Sequence, residues 1–581
     1  MTAANAYKEP SRKGGGMRRV AGIGAVALLT VACRDVTTDT TAPPIARSVV
    51  QLPGALQAFA DRVKDVPAVA FEEPPGTPPL EANPQILAER IGEADGEALV
   101  GLKAPQAPRW SSSGERAAIS RADIMDGLAF LNSLGVEVVD YFEHFGIARV
   151  RLEPELVAAV AGSPLIDYIE PNPVQPQALA AVGRSVMSPP VAQTTPWGIS
   201  KIGATTAWQK TSGGSVRVMI IDTGHERGHE DLPLVPTSNC DGPHGGCSES
   251  IVGAFRGHGT HVLGILTARS NGLGVVGVAK GVSASNVFVY GGCPSNGQCT
   301  SGEVVDGIDQ AITWGVDVLS MSLSLDHDVA LQNAVSLASS ADIVMAAAAG
   351  NHCHGSTECA ANAVKYPAGY LQVLGVSGTH TDDTRAHHSG LPDDCIVEYF
   401  DAPAYTVTNR GPHVDVSAPF HALSTHLDNG YRTLCGTSMA TPHVAGVAAL
   451  IRAIQPSLAD YQVRQRIIDT VIDLGSSGWD EEFGYGRVSA KNAVGPWAEI
   501  GGPTQVPPGQ TCEWTGNGSG GVGSLGFQWY KNSGPVGTGT RVTLSSSSSF
   551  ELKLVVTDDD GFWGQKNLFV QVSDEAEECP W

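Results

Sequence analysis

The chain has 581 residues, with 37 Lys and Arg against 60 Asp and Glu, a formal net charge of −23. That length leaves room for roughly three or four domains, and 42% hydrophobic against 17% charged residues excludes a globally disordered chain. The acid excess excludes a nucleic-acid partner held through a basic face. The 11 cysteines are an odd number, so at least one must stand apart from any paired framework.

At the N-terminus, Met17-Arg18-Arg19 precedes an apolar run from Val20 to Ala32, followed by Cys33. A positive start, a short apolar centre and small residues at the end read as an export signal over residues 1–33, with Met17 as its start. The run is too short for a stable membrane span. Leu29-Thr30-Val31-Ala32-Cys33 resembles a bacterial lipoprotein processing site, except that Thr30 stands where Leu is usual. Cys33 is therefore a candidate lipid anchor, with plain signal cleavage as the alternative, and the product is secreted or held at the cell envelope. Without Cys33, ten cysteines remain, and export permits disulfides. Cys240 and Cys247, Cys293 and Cys299, and Cys353 and Cys359 are close pairs; Cys395, Cys435, Cys512 and Cys579 complete the set. No CxxC occurs, which favours disulfides over zinc.

Residues 34–95 are rich in Pro, Ala, Thr and Glu and read as a spacer, with one helix near Leu56 to Val63. Residues 96–172 form a compact unit. Strands at Ala98 to Lys103, Val136 to Tyr141, Ala148 to Leu152 and Ile166 to Ile169 alternate with helices at Arg121 to Leu134 and Glu153 to Ala161. The order βαββαβ is a ferredoxin-like split motif. Residues 173–196 are a second linker. From 197 to 496, continuous apolar strands such as Val216 to Ile221 and Val316 to Met321 alternate with helices such as His258 to Ala268 and Thr437 to Ile454. That pattern predicts a buried parallel α/β sheet. Residues 499–581 carry short strands separated by Gly and Ser, the pattern of a small β-sandwich.

Three segments of the α/β region each put a reactive residue at an element boundary. The strand Val216 to Ile221 ends at Asp222-Thr223-Gly224, the end at which open α/β sheets bind ligands. Gly257-His258-Gly259-Thr260-His261 opens a helix with room around His258. Gly436-Thr437-Ser438-Met439-Ala440-Thr441-Pro442-His443 opens a long apolar helix whose orphan amides and positive end can stabilise negative charge beside Ser438. A serine hydroxyl needs an imidazole to take its proton, and a carboxylate to fix that imidazole's tautomer. Each segment alone is a common turn or cap; together, in this order, they point to catalysis.

The segments IIDTGH, GHGTHVLGI and GTSMATPHVAGVAAL resemble the subtilisin-like serine proteases, the subtilases, over about Trp197 to Val494. The resemblance implies a subtilisin-like parallel-sheet catalytic domain and a serine endopeptidase acting on polypeptides. It implies Asp222 as orienter, His258 as general base then acid, and Ser438 as nucleophile. His261 and His443 are read as structural. Ala346-Ala347-Ala348-Ala349-Gly350-Asn351 resembles the family segment whose Asn amide helps to bind the oxyanion, alongside the Ser438 N–H. Val289-Tyr290-Gly291 and Ser322-Leu323-Ser324 resemble walls that hold an extended peptide as an added strand. Ser324 and Phe420 each stand where the family usually has Gly, which implies an altered cleft. No cofactor is needed for the chemistry and no metal ligand is assigned. The family allows structural calcium, and Asp241, Asp393 and Asp394 are read as solvated surface.

Within the same resemblance, residues 96–172 look like a propeptide that inhibits its own protease, with cleavage between Pro173 and Thr195. The segment from Gln193 to Gly198 resembles mature N-termini of the proteinase K-like branch. The tail resembles an immunoglobulin or PKD-like module that Cys512 and Cys579 could staple. Cys435, three residues before Ser438, pairs with Cys395 or is a free thiol beside the active site. The competing functional readings are an adhesion protein with an inactive protease domain and an esterase using the same triad.

Overall fold

The computed structural model describes residues 84–102, 121–142, 144–175, 186–187, 192–243, 246–248, 257–294, 298–351, 364–386, 397–399, 402–404 and 408–579. The export signal with Cys33, the helix expected near Leu56 to Val63, and Cys353, Cys359, Cys395, Asp393 and Asp394 lie outside them.

The leader unit begins earlier than the composition implies. Helix α1 (Pro84–Glu93) falls in the expected spacer, yet Leu87 and Ile91, one turn apart on its inner face, are buried. They join Ala98, Val100, Val157 and Val160 in one core. The chain continues through β1 (Glu97–Leu102), α2 (Arg121–Ser133), β2 (Glu137–Phe142), β3 (Ile147–Arg151), α3 (Pro154–Ala161) and β4 (Ile166–Pro171). The strands lie in the order β2-β3-β1-β4 with antiparallel pairings, the split βαββαβ arrangement.

The central sheet has seven strands. They are β5 (Val218–Asp222), β6 (Cys240–Asp241), β7 (Val287–Gly291), β8 (Val318–Met321), β9 (Val344–Ala348), β10 (Val373–Thr379) and β11 (Val416–Pro419). The order is β11-β10-β9-β8-β5-β7-β6, and every pairing is parallel. Strands β5, β7, β8 and β9 are buried throughout, as their unbroken apolar runs require of a sheet covered on both faces. Helix α4 (Gly257–Thr267) covers one face; α5 (Ser301–Trp314) and α6 (Val329–Ser340) contribute to the core on the other. A hairpin, β12 (His421–His426) and β13 (Gly430–Cys435), leads into α7 (Thr437–Ile454), which is buried from Thr437 to Arg452. Helix α8 (Asp460–Asp469) follows.

The C-terminal module is a sandwich of a three-stranded and a five-stranded sheet. Trp514, Trp529, Phe550 and Leu554 lie inside it, and Cys512 is bonded to Cys579. It is seated on the catalytic body: Phe562 is 1% exposed and belongs to the same core cluster as α7. The Lys210 ammonium lies 4.3 Å from its ring centroid and 3.0 Å from Asp558.

Candidate active site

Asp222 ends β5, the strand between β7 and β8, so the backbone beneath it is held on both edges. Its Oδ1 accepts from the Thr223 N–H at 2.7 Å, and its two oxygens lie 2.8 and 2.9 Å from His258 Nδ1. The aspartate is fully buried and the histidine 2% exposed. Such closeness needs Gly259: a side chain there would set its first carbon 3.1 Å from Asp222 Oδ1. With Nδ1 committed to the carboxylate, Nε2 is the ring's other buried nitrogen, without a partner among the described residues.

Ser438 sits in the first turn of α7, among the amides that lack helical acceptors. Pro442, four residues on, has no N–H to offer the Ser438 carbonyl. Ser322 Oγ supplies that bond at 2.8 Å, and Ser438 Oγ donates back to the Ser322 carbonyl at 3.1 Å. Asn351 Oδ1 accepts from the Thr437 N–H at 2.9 Å and the Thr437 hydroxyl at 3.2 Å. With the amide oxygen committed there, donation from Asn351 falls to its NH2 group. The structure thus joins Ser322, Asn351 and Ser438 around the start of α7, and Asp222 with His258 at the end of β5.

His261 and His443 are packing groups. His261 Nε2 lies 2.8 Å from the Arg432 carbonyl and 3.1 Å from that of Ala422, and burial holds its pKa well below the usual imidazole range. His443 Nδ1 lies 2.8 Å from the Met439 carbonyl, and burial lowers its pKa to about 4. Phe420 does not shape the cleft: it is fully buried with Ala386 and Cys435 and packs against Gly378. Nor is Cys435 a free thiol; it is disulfide-bonded, to a cysteine outside the described residues.

The first expected wall needs correcting. Strand β7 pairs with β5 along its length, and Val289 and Tyr290 also pair with β6, so Val289-Tyr290-Gly291 has little free edge for a peptide. Antiparallel pairing occurs further on instead, where the Gln175 N–H donates to the Cys299 carbonyl at 2.7 Å. Sequence reading missed Cys299; its disulfide with Cys293, which brackets this edge, is the signal that could have marked it. In the second wall, Ser322 and Leu323 are buried and Ser324 is partly exposed.

Oxygen atoms converge elsewhere in the catalytic body. The Gln193 Nε2 lies 2.6 Å from the Arg269 carbonyl, 3.0 Å from those of Leu273 and Val275, and 3.4 Å from Asn271 Oδ1. An amide has two hydrogens and cannot serve four acceptors; turned over, it would add its own oxygen to the set. Nearby, Asp231 Oδ2 accepts from the Val275 N–H at 2.7 Å, while Oδ1 is buried without a partner. The donor set fits a hard cation of the calcium type. The expectation that no acidic cluster marks a site overlooked carbonyl oxygens, and among the described residues no group of three or more His, Cys, Asp or Glu gathers.

The sequence profile of the subtilase family matches residues 213–486. The alkaline protease of Alkalihalobacillus alcalophilus is 32% identical over 386 residues, covering 65% of this chain and 87% of that protein. Subtilisin DY of Bacillus licheniformis is 37% identical over 310 residues, covering 52% of this chain and all of that protein. The minor extracellular protease Epr of Bacillus subtilis is 30% identical over 364 residues, covering 61% and 50%. These relatives lend no support to the proteinase K-like branch in particular. The chain belongs to the subtilase family and is a serine endopeptidase that acts on polypeptides.

Proposed function

We propose that this enzyme is exported as a zymogen and hydrolyses peptide bonds through Asp222, His258 and Ser438. The observation that carries the reading is the buried Asp222–His258 pair, whose Nε2 is left uncommitted. For reaction, Ser438 Oγ leaves the Ser322 carbonyl and attacks the scissile carbonyl while His258 Nε2 takes its proton. The Asn351 amide and the Ser438 N–H receive the oxyanion. His258 then protonates the leaving amine, and the acyl-enzyme is released by water that His258 deprotonates in turn. Asp222 holds the tautomer and stabilises the imidazolium without taking the proton.

The leader is the intramolecular inhibitor in this reading. Support comes from its tail, in which Gln175 pairs with Cys299 as an antiparallel strand. Further support comes from Glu170, whose oxygens accept from the Val329 and Ala330 N–H groups at the start of α6. Ser438→Ala should lower casein hydrolysis at least about 1,000-fold and leave the chain at full length. N-terminal sequencing of the active enzyme should give a start between Pro173 and Thr195. Undiminished hydrolysis, or a start upstream of Glu170, overturns the proposal. Secretion accords with the apolar N-terminal run and with the printed description of Epr as extracellular. Among the described residues no helix is long and apolar enough to cross a membrane.

A structural calcium ion is part of the same proposal, held by Asp231, Asn271, Gln193 and the carbonyls of Arg269, Leu273 and Val275. It would tie the start of the catalytic body to the loop after α4 and take no part in the chemistry. Adding calcium to chelated enzyme should raise the midpoint of thermal unfolding, and Asp231→Asn should abolish that rise. An unchanged midpoint in the wild type refutes the site.

A further inference from the structure

We infer that the Cys293–Cys299 disulfide is a positioning device for extended substrates, fixing the peptide-pairing carbonyl of Cys299 relative to the strand that carries Asp222. The inference rests on the proposed reading of the cleft and adds a determinant of substrate length to it.

The observations run from both ends of the bridge. At one end, the Cys293 N–H donates to the Asp222 carbonyl at 3.1 Å, and Gly291, two residues earlier, stands beside Asp222 in the β7–β5 pairing. At the other end, the Cys299 carbonyl accepts from the Gln175 N–H at 2.7 Å in an antiparallel β-bridge; further along, Val186–Met187 pairs with Tyr431 and Arg432. With the leader in place both cysteines are fully buried, packed with Tyr290 and Val304 of the catalytic body and covered by Leu99 of the leader, as an occupied edge would be. The residue after Cys299 is held too: Thr300 caps α5, its hydroxyl accepting from the Glu303 N–H at 3.2 Å while its own N–H donates to Glu303 Oε2 at 2.8 Å.

The pairing carbonyl is thus fixed on one side by a helix cap and on the other by a bond across six positions of sequence. A peptide binding as an added strand gains its affinity from such backbone groups. If the receiving edge had to be ordered first, part of that gain would be lost. The disulfide limits the positions open to Cys299 before the substrate arrives. The placement separates binding from chemistry: the bridge touches the backbone of Asp222, not its carboxylate.

The test is the double substitution Cys293→Ser/Cys299→Ser in the full chain, activated in the usual way. Two substrates are compared, a peptide amide extended by several residues on the acyl side and an ester of a single blocked amino acid. The extended substrate should lose about tenfold or more in kcat/KM, through KM, while the single-residue ester loses less than about threefold. Equal losses on both substrates, or a fall in kcat at constant KM, overturn the inference. Should the serine pair fail to fold, Cys293→Ala/Cys299→Ala makes the same test without buried hydroxyls. Ser438→Ala, run alongside, keeps the two readings apart: hydrolysis that survives it defeats the proposed nucleophile, whatever the cysteine variants do.

Discussion

Where the leader meets the catalytic body, its polar groups touch by their tips. Glu170 accepts from two amides at the start of α6, Asn172 accepts from the Gly302 N–H at 3.0 Å, and His144 lies 2.9 Å from Asp309 while 39% exposed. Leu99, Phe142, Phe145 and Ile147 share an apolar cluster with the body, so the contrast lies in the polar groups, of which His144 keeps access to water. The C-terminal module meets the same body with a core aromatic and sealed charges. Phe562 is 1% exposed, Asp558 is fully buried against Lys210, and Arg466, 3% exposed, reaches four carbonyls, those of Asn492, Ala493, Gly495 and Pro496. A seam of helix caps and wet ion pairs parts when water replaces each bond at small cost. The module's seam does not part in this way: Arg466 and its four acceptors fasten the end of the catalytic body beneath it, and separation would strand the buried Asp558 without Lys210 and uncover Phe562. Departure of the leader, as proposed above, would break fewer sealed polar contacts than departure of the module.

The contrast breaks most readily at Arg466. Arg466→Met keeps the stem but strips four carbonyls of their donor, and also removes the cation 4.3 Å from the Trp497 ring centroid. The expected loss is on the order of 4 kcal/mol in urea unfolding, with module and catalytic body still unfolding together. A loss below about 1 kcal/mol would mean that the four carbonyls at the end of the catalytic body do not depend on this guanidinium.

Acid should act on the catalytic body and spare the leader. His225 and His443 are buried and neutral, and burial lowers each pKa to about 4 from an ordinary 6.5. His421 and His426 are lowered to about 4 in the same way. Between these values the unfolded chain binds protons that the folded one refuses, so stability is full above about pH 6.5 and falls as pH drops towards 4. Each fully buried histidine contributes a slope of up to about 1.4 kcal/mol per pH unit. Asp306 works in the opposite direction: burial raises its carboxyl to about 6, so its penalty at neutral pH is relieved as pH falls. Asp231 is likewise raised to about 6, and burial also raises Glu226, Asp328 and Asp469; the six histidines that burial lowers, His229 and His261 included, still outnumber these five carboxyls. Thermal unfolding of uncut Ser438→Ala protein from pH 7 to 4.5 should show the body-and-module transition falling, and His443→Gln should flatten that slope. An unchanged transition temperature counts against neutral buried histidines.

The same difference in seams explains what the sequence disclosed. The triad segments, the Asn351 segment and the alternation of buried strands with helices are local patterns, so Asp222, His258 and Ser438 could be named from residue order alone. The start of the leader could not, because Leu87 and Ile91 acquire a core chiefly from α3, more than sixty residues further along the chain. The peptide edge was misplaced for a related reason. Val289 to Gly291 looks like any strand end, and only the registry with β5 and β6 reveals that both of its edges are taken. The proposed cation site was hard to see because half of its ligands are main-chain carbonyls, which no side-chain pattern records.

The smallest expected effect lies at the leader's seam. Asp328 already caps α6, accepting from the Leu331 N–H at 2.7 Å, so Glu170 is a second anion beside a helix start that is partly satisfied. Removing it leaves the Val329 and Ala330 amides to water rather than stranding them. Glu170→Ala should therefore weaken the leader's hold by about 1 kcal/mol, roughly fivefold. The measurement is the lag before full activity appears in the complete chain, which should shorten while the final kcat/KM is unchanged. Arg466→Met makes the matched control: it should lower stability without touching the lag. If Glu170→Ala instead destabilised the catalytic body as Arg466→Met is expected to, the leader would be a structural partner like the module, and the distinction between the two seams would fail.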